Sequence, residues 1–259
     1  MADKKIEGVQ SIEALYALIE HNRLTDEVVA ERVFQNEVNA AINTITEIST
    51  VASARIMTDT QVASAKIQID AEVQAARLAA DAEMAVAKIK SRGGRQSQAS
   101  VKAAIVAIGN AQSERLSDAG KQSIHEMVIE AEAAIAKLRQ LADAAIEEIH
   151  RYATNTTARM QAAAVATARM KAFQTEEHTR DEIVAEGAKA ADFVSLAAES
   201  ASRVVQQSLD ATLRNIRAVT DEACANIKSS VENAVERIEA ARIKAQARID
   251  EAVRQATKT

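Results

Sequence analysis

The sequence predicts an all-α fold of very long helices, a helical hairpin or extended coiled coil with an 11-residue repeat that assembles into a higher-order oligomer. Three observations lead to this prediction. The chain contains no proline among its 259 residues, so no residue lacks the N–H that an uninterrupted helix needs. Alanine, which has the highest helix propensity, is the commonest residue. The third observation is an 11-residue spacing of apolar residues along most of the chain.

The repeat is clearest over residues 51–89, where the sequence aligns with itself after a shift of one repeat. The segments VASARIMTDTQ, VASAKIQIDAE and VQAARLAADAE follow one another directly. We expect the recurring apolar residues to form two assembly seams on this helix. The first seam contains Val51, Ala54, Val62 and Val73, and the second contains Ile56, Ile67, Leu78 and Ile89.

The repeat length determines where these seams lie on the helix surface. Eleven residues in three turns advance by about 98° per residue, which places the Val51 and Ile56 columns about 130° apart. A helix with two apolar sides must be covered on both of them. We therefore expect the two seams to make two separate contacts in an assembly of several copies.

Sequence punctuation predicts four segments. Gly93 and Gly94 follow the last repeat residue, as is typical of a helix end and turn, and Thr25 followed by two acids is typical of a helix start. We expect a short N-terminal helix or arm in 1–24, a first long helix in 25–91, a Gly-Gly turn in 92–97 and a second long helix in 98–259. The turn either reverses the chain or forms a flexible joint in an unbent rod.

The predicted second helix continues the repeat. Its last column contains Ile216, Ile227, Ile238 and Ile249. Between Met160 and Ile183 the spacing exceeds two repeats by one residue, so the register slips within 161–182. We interpret this slip as a skip residue or a soft hinge within one helix. Such a helix would extend past the first and leave its apolar stripe for other copies to cover.

No catalytic, cofactor or metal site is predicted. No two of the four histidines lie at the i, i+4 spacing of a helical metal face. We expect His178 to be a solvated surface residue, with a local polar cluster or a pH-sensitive hinge as the alternatives. Cys224 lies on an apolar stripe and is expected to be a small buried hydrophobe. The sequence therefore predicts a protein that is not an enzyme and needs no cofactor.

A basic stretch surrounds the glycine pair. It contains Lys88, Lys90, Arg92 and Arg95. Cations are favourable at a helix C-terminus, which is the simpler interpretation; a tip that docks on an acidic neighbouring subunit, a membrane, an inclusion or a mineral surface is the alternative. The net charge of -5 argues against a specific nucleic-acid partner. The N-terminus has no apolar signal segment, so we expect a cytoplasmic protein.

These columns resemble those of hendecad coiled coils and, more loosely, those of exchangeable apolipoproteins, perilipins and phasins. The resemblance is one of period and composition, so it implies long helices and transfers no functional residues. We expect a structural protein whose partner is itself and which forms a filament, tube or scaffold, with Tyr16, Phe34 and the Gly93-Gly94 tip as candidate end-to-end contacts. The alternatives are an amphipathic-helix coat on lipid or polymer inclusions and a stalk or tether in a larger complex.

Overall fold

The computed structural model describes the backbone of residues 3–92, 98–171 and 177–256, and the side chains of residues 27–90, 99–169 and 180–256. Within these residues the chain forms three α-helices: α1 (Asp3–Arg92), α2 (Gln98–Lys171) and α3 (Glu177–Ala256). All three are far longer than the average globular helix of about 11–12 residues. The prediction of an all-helical protein with very long helices is confirmed.

The predicted break near Thr25 is wrong. Helix α1 runs from Asp3 to Arg92, so residues 1–24 and 25–91 are not separate elements. A capping side chain favours a helix start, but it does not end a helix that already extends through it. The preceding residues, 20–24, contain neither glycine nor proline, so the backbone has no reason to leave the helical conformation.

The single second helix predicted over 98–259 is also wrong. Helix α2 ends at Lys171 and α3 begins at Glu177, both within the predicted register slip at 161–182. His150 Nε2 on α2 lies 3.3 Å from Ser202 Oγ on α3, a contact that requires α3 to run back along α2. Because the chain reverses, α2 covers the apolar face of α3 within one chain. No second copy is needed to cover that face.

Chain contacts divide the protein into two compact units. Unit 1 contains Met1–Ser49 and Ile135–Leu213, and unit 2 contains Thr50–Ala134 and Arg214–Thr259. Each unit therefore includes a segment of α1, a segment of α2 and a segment of α3.

In unit 1 the segments of α1 and α2 are joined by an aromatic contact. The rings of Phe34 and Tyr152 pack edge to face, with centroids 5.8 Å apart and planes at 88°. Such a pair contributes about 0.5–1.5 kcal/mol beyond the apolar area that it buries. Because Phe34 is buried in this contact, the prediction that it makes an end-to-end contact between subunits is wrong. Tyr16, the other predicted contact, lies outside the described side chains.

In unit 2 ion pairs join every pair of helix segments. Arg237 and Arg248 of α3 reach Glu72 and Glu83 of α1, at 2.7 and 3.1 Å. Arg55 of α1 lies 2.5 Å from Glu130 of α2. A further pair links Lys102 of α2 to Asp250 of α3. Exposed pairs of this kind are worth at most about 1 kcal/mol each, so their main effect is to specify the register.

These contacts also show that the chain reverses between α1 and α2. Residues 55 and 60 on α1 contact residues 130 and 127 on α2, so the numbering rises on one helix as it falls on the other. The alternative of an unbent rod with a flexible joint is therefore wrong. The turn residues Gly93 and Gly94 lie outside the described residues.

The core is built around one column of large apolar residues from each helix. Members of a column follow one another at the 11-residue spacing, and all of them are buried. The α1 column is Phe34, Ile45, Ile56, Ile67, Leu78 and Ile89; the α2 column is Ile105, Leu116, Met127, Leu138, Ile149 and Met160; the α3 column is Ile183, Val194, Val205, Ile216, Ile227, Ile238 and Ile249. Each fully buried side chain of this size stabilises the fold by about 1.5–3 kcal/mol.

Glycines let α2 and α3 approach closely. A Cβ added to Gly120 would overlap with Cγ2 of Val231, and one added to Gly187 would overlap with Cβ of Ala164. At Gly109 the nearest atom would be Cδ of Arg242, at 3.0 Å. Gly109 and Gly120 are themselves separated by one repeat.

Small hydroxyl residues are buried among the apolar side chains. Thr60 Oγ1 lies 2.6 Å from the carbonyl oxygen of Ile56 and 3.2 Å from Sδ of Met127. Thr220 donates to the carbonyl oxygen of Ile216, one turn earlier, at 2.8 Å. This bond to the i−4 carbonyl satisfies a buried hydroxyl within its own helix. Thr156 Oγ1 is buried without a hydrogen-bond partner.

Candidate interaction surface

The two seams predicted on α1 have different environments. All residues of the Ile56 column are at most 3% exposed, because α2 and α3 cover them. The predicted seam on α3 is buried as well, since Ile216, Ile227, Ile238 and Ile249 are at most 1% exposed. The prediction that these residues contact another subunit is wrong: they form the core of their own chain.

The other α1 seam remains on the surface. Val51, Val62, Val73 and Met84 are between 42% and 63% exposed, and the Ala54 column beside them is exposed as well. Ile69, which sequence reasoning missed, is 60% exposed. It lies seven positions after Val62, so at about 98° per residue it falls between the valine and alanine columns. The signal that could have identified Ile69 is its position seven residues after Val62, because seven residues at about 98° each return to nearly the same side of the helix.

Together these residues form a continuous apolar surface, which we call the α1 stripe. It lies entirely in unit 2 and covers about 65° of the helix circumference. Its members are Val51, Ala54, Val62, Ala65, Ile69, Val73, Ala76, Ala80, Met84 and Ala87. Single exposed apolar residues are ordinary, but a row of them along one helix is typical of an interaction surface.

Charged columns border the α1 stripe on both sides. A basic column and then an acidic column lie on one flank, about 33° and 65° from the valine column. They are Arg55, Lys66, Arg77 and Lys88, and Asp59, Asp70 and Asp81. The opposite flank carries Glu72 and Glu83, which already pair with Arg237 and Arg248 of α3. Among the described residues, no ion pair involves Lys66, Asp70 or Arg77.

Comparisons with known proteins bear on the fold of this chain. No known protein family matches the sequence, and no curated protein matches it. Among solved structures, a computationally designed three helix bundle matches with a TM-score of 0.66 and 13% sequence identity, over 93% of this chain and 99% of that chain. The chain resembles a three-helix bundle. At this identity the similarity concerns the fold alone.

A second exposed apolar patch lies on α3 of the bundle, within unit 1. Phe193, Leu196 and Val204 are 46%, 64% and 41% exposed. Ser200, a small exposed residue, lies among them on the same face. We call the three apolar residues the α3 patch. Sequence reasoning missed it because Phe193 and Val204 are only two members of an 11-residue column, whereas the valine column of the α1 stripe has four.

The predicted basic tip is only partly described. Lys88 and Lys90 are exposed at the end of α1, and Arg92 is the last residue of that helix. The side chain of Arg92 and the whole of Arg95 lie outside the described residues. The structure therefore does not bring these four residues together as a site.

The described part of the chain was also compared with the requirements of a metal site. No cluster of three or more His, Cys, Asp or Glu residues there could hold a metal ion. Burial raises the pKa of the Cys224 thiol, which makes it less reactive than an ordinary cysteine. A hydrogen bond from Arg151 lowers the pKa of Glu148 in an exposed pair on one helix. The side chain of His178 lies outside the described residues.

No described helix combines the length and the apolar composition that crossing a membrane would require.

Proposed function

We propose that this protein is a structural protein that associates with itself to build a scaffold and that it has no catalytic role. The observation that carries the proposal is the α1 stripe. The core of the bundle is complete without these residues, yet ten positions along about 50 Å of one helix present apolar side chains to solvent. Exposed valine, isoleucine and methionine side chains are stabilised when a second protein surface covers them.

We further propose that the helices pack in an 11-residue coiled-coil register. Support comes from the three buried columns, each of which keeps the 11-residue spacing. A period of about 3.67 residues per turn keeps a column on one side of a nearly straight or slightly right-handed helix. The same period keeps the α1 stripe on one side, so the surface offered to a partner does not wind around the helix.

The proposal extends to assemblies larger than a dimer. A subunit with one self-complementary surface forms closed pairs, whereas a subunit with two such surfaces can add further copies. The α1 stripe and the α3 patch lie in different units, so two separate contacts per chain are available. A filament, tube or layered scaffold is the expected product.

Sedimentation velocity and negative-stain electron microscopy test this function. We expect the purified chain to form species larger than a monomer, in proportions that rise with concentration. The double variant Val62→Asp, Val73→Asp should form nothing larger than a pair joined through the α3 patch and should keep the helical circular dichroism and melting temperature of the unaltered chain, because both residues lie outside the core. Gln61→Asp, Gln68→Asp is the matched control, since it adds the same charge to exposed positions of α1 outside the stripe and should still assemble.

A chain that remains monomeric at the highest concentration reached would contradict the proposal. So would a gain in bound protein when anionic vesicles are sedimented with a chain that does not self-associate. That second result would assign the stripe to a lipid surface instead.

A further inference from the structure

We propose that two copies of this chain pair through the α1 stripe in antiparallel orientation, with the two-fold axis near residue 68. This inference rests on the proposed self-association and specifies its geometry. An antiparallel pair related by a two-fold axis is isologous, so the same surface is used on both copies. It follows from two independent patterns on α1, one apolar and one charged.

The apolar pattern is symmetric about this axis. In an antiparallel pair centred near residue 68, Val51 of one copy lies opposite Met84 of the other, and Val62 lies opposite Val73. Both pairs have residue numbers that add up to 135, so one register aligns the whole valine column with itself. Ile69 lies near the axis and is close to its own counterpart in the second copy.

The charged pattern selects a register within one residue of the apolar one. When two helices pack antiparallel, each flank of one helix meets the same flank of the other. The flank beside the stripe carries both the basic and the acidic column. Lys66 then lies opposite Asp70, while Arg77 lies opposite Asp59; both pairs have residue numbers that add up to 136. This is one residue, or about 1.5 Å, from the apolar register.

A parallel pair lacks this complementarity. Each flank would then meet the opposite flank of the second copy, and the basic column would face Glu72 and Glu83. Those carboxylates are already paired with Arg237 and Arg248 of their own α3. The acidic column, including Asp70, would also face the flank that carries Glu72 and Glu83, and these carboxylates would repel each other.

The size of the surface predicts a reversible pair. The stripe extends about 50 Å from Val51 to Met84 and is about 10 Å wide, so each copy would bury about 500 Å². The total of about 1,000 Å² lies at the small end of specific interfaces. We therefore expect dissociation in the micromolar range, which sedimentation can follow.

A charge exchange tests the orientation. In the antiparallel pair, Lys66→Glu places a carboxylate opposite Asp70 twice, and Asp70→Lys places an ammonium opposite Lys66 twice. Each variant alone should self-associate about tenfold more weakly than the unaltered chain. An equimolar mixture should form a heterodimer about as tightly as the unaltered chain, because both facing positions again carry opposite charges. Recovery in the mixture also shows that neither variant was merely misfolded.

The contrary results are specific. If Asp70→Lys alone strengthens self-association, the pair is parallel, because the new ammonium then meets Glu72 across the interface. If the unaltered chain self-associates but the mixture shows no recovery, the inference fails while the proposed function stands. If the unaltered chain does not self-associate at all, both fail.

Cysteine cross-linking provides a second, independent measurement. In a background with Cys224→Ala, Val62→Cys should form no disulfide dimer by itself, because its counterpart lies about 16 Å away along the helix. A mixture of the Val62→Cys and Val73→Cys chains should form the mixed disulfide. A disulfide dimer from Val62→Cys alone would overturn the antiparallel arrangement.

Discussion

Gly120 allows α2 and α3 to approach closely in unit 2. Adding one methyl group at Gly120, and at Gly109 for comparison, tests this role. Gly120→Ala brings the new Cβ into Cγ2 of Val231, a branched side chain with little freedom to move. Overpacking costs about 1–3 kcal/mol, and the higher helix propensity of alanine offsets about 1 kcal/mol of it. We expect a net loss of about 1 kcal/mol in the free energy of unfolding.

Gly109→Ala is the matched control. Its Cβ would meet only the side chain of Arg242, whose Cδ is nearest and belongs to a long side chain that can change rotamer. The helix-propensity gain should then dominate and stabilise the protein by up to about 1 kcal/mol. Urea unfolding followed by circular dichroism measures both values. Equal stabilisation by the two substitutions would show that Gly120 is not needed for close packing.

The glycine positions also show what residue-level sequence reasoning can reach. Gly109 and Gly120 begin an 11-residue column that continues with Ala131, Ala142 and Ala153, so their role as small interface residues was readable from the spacing. The sequence alone does not show which neighbouring helix they face. That depends on the pairing of α2 with α3, which is a property of the chain reversal.

At the scale of elements, the second reversal is the feature that sequence reasoning missed. Thr175 followed by two acids is a helix-start signal of the same type as Thr25 followed by two acids. Helix α3 begins at Glu177, after Thr175, which lies outside the described residues, whereas α1 passes through Thr25. The local signal is the same in both places, so burial of the α3 stripe against α1 and α2 decides the outcome.

The core columns, in contrast, were predictable. The 11-residue period identified the residues that the structure buries on all three helices, from Ile56 on α1 to Ile249 on α3. It could not distinguish an apolar column covered by the same chain from one that stays exposed, because both have the same period. The Ile56 and Val51 columns differ in this respect only once α2 and α3 are packed against α1.

A cross-linking experiment checks the reversal between α2 and α3. In one continuous helix, His150 and Ser202 would be about 78 Å apart, whereas their side chains are 3.3 Å apart in the structure. With Cys224→Ala as background, His150→Cys with Ser202→Cys should be joined within one chain by a short bismaleimide at low protein concentration. His150→Cys with Lys189→Cys, about 20 Å farther along α3, is the control that should not react. Failure of the first pair to cross-link would restore the single long helix.

At the scale of the whole molecule, the buried columns of all three helices have an 11-residue spacing, so we expect the helices to need matched lengths. Residues 62–72, 114–124 and 227–237 lie at the same level of unit 2, as the pairing of Arg237 with Glu72 shows for α1 and α3. Duplicating all three segments adds one repeat to every helix and preserves each core column. We expect this variant to unfold cooperatively with a melting temperature close to that of the unaltered chain.

Duplicating residues 62–72 alone is the contrasting variant. It keeps the apolar face of α1 in phase but shifts one part of the helix by a full repeat against α2 and α3, so the pairs of Arg55 with Glu130 and of Glu83 with Arg248 within unit 2 cannot both be kept. We expect the melting temperature to fall by several degrees, as a loss of about 1–2 kcal/mol would produce. Thermal unfolding followed by circular dichroism distinguishes the two variants, and equal melting temperatures would show that the helices do not need a common length.

The shared columns have a consequence for how such a gene can evolve. Tandem repeats usually expand and contract easily, since a single duplication adds a unit that stacks on its neighbours. Here one duplication lengthens one helix while the other two keep their length. We expect three matched duplications to be needed before the product is again well packed. In this protein the repeat therefore makes a change of size difficult, whereas in a solenoid it makes such a change easy.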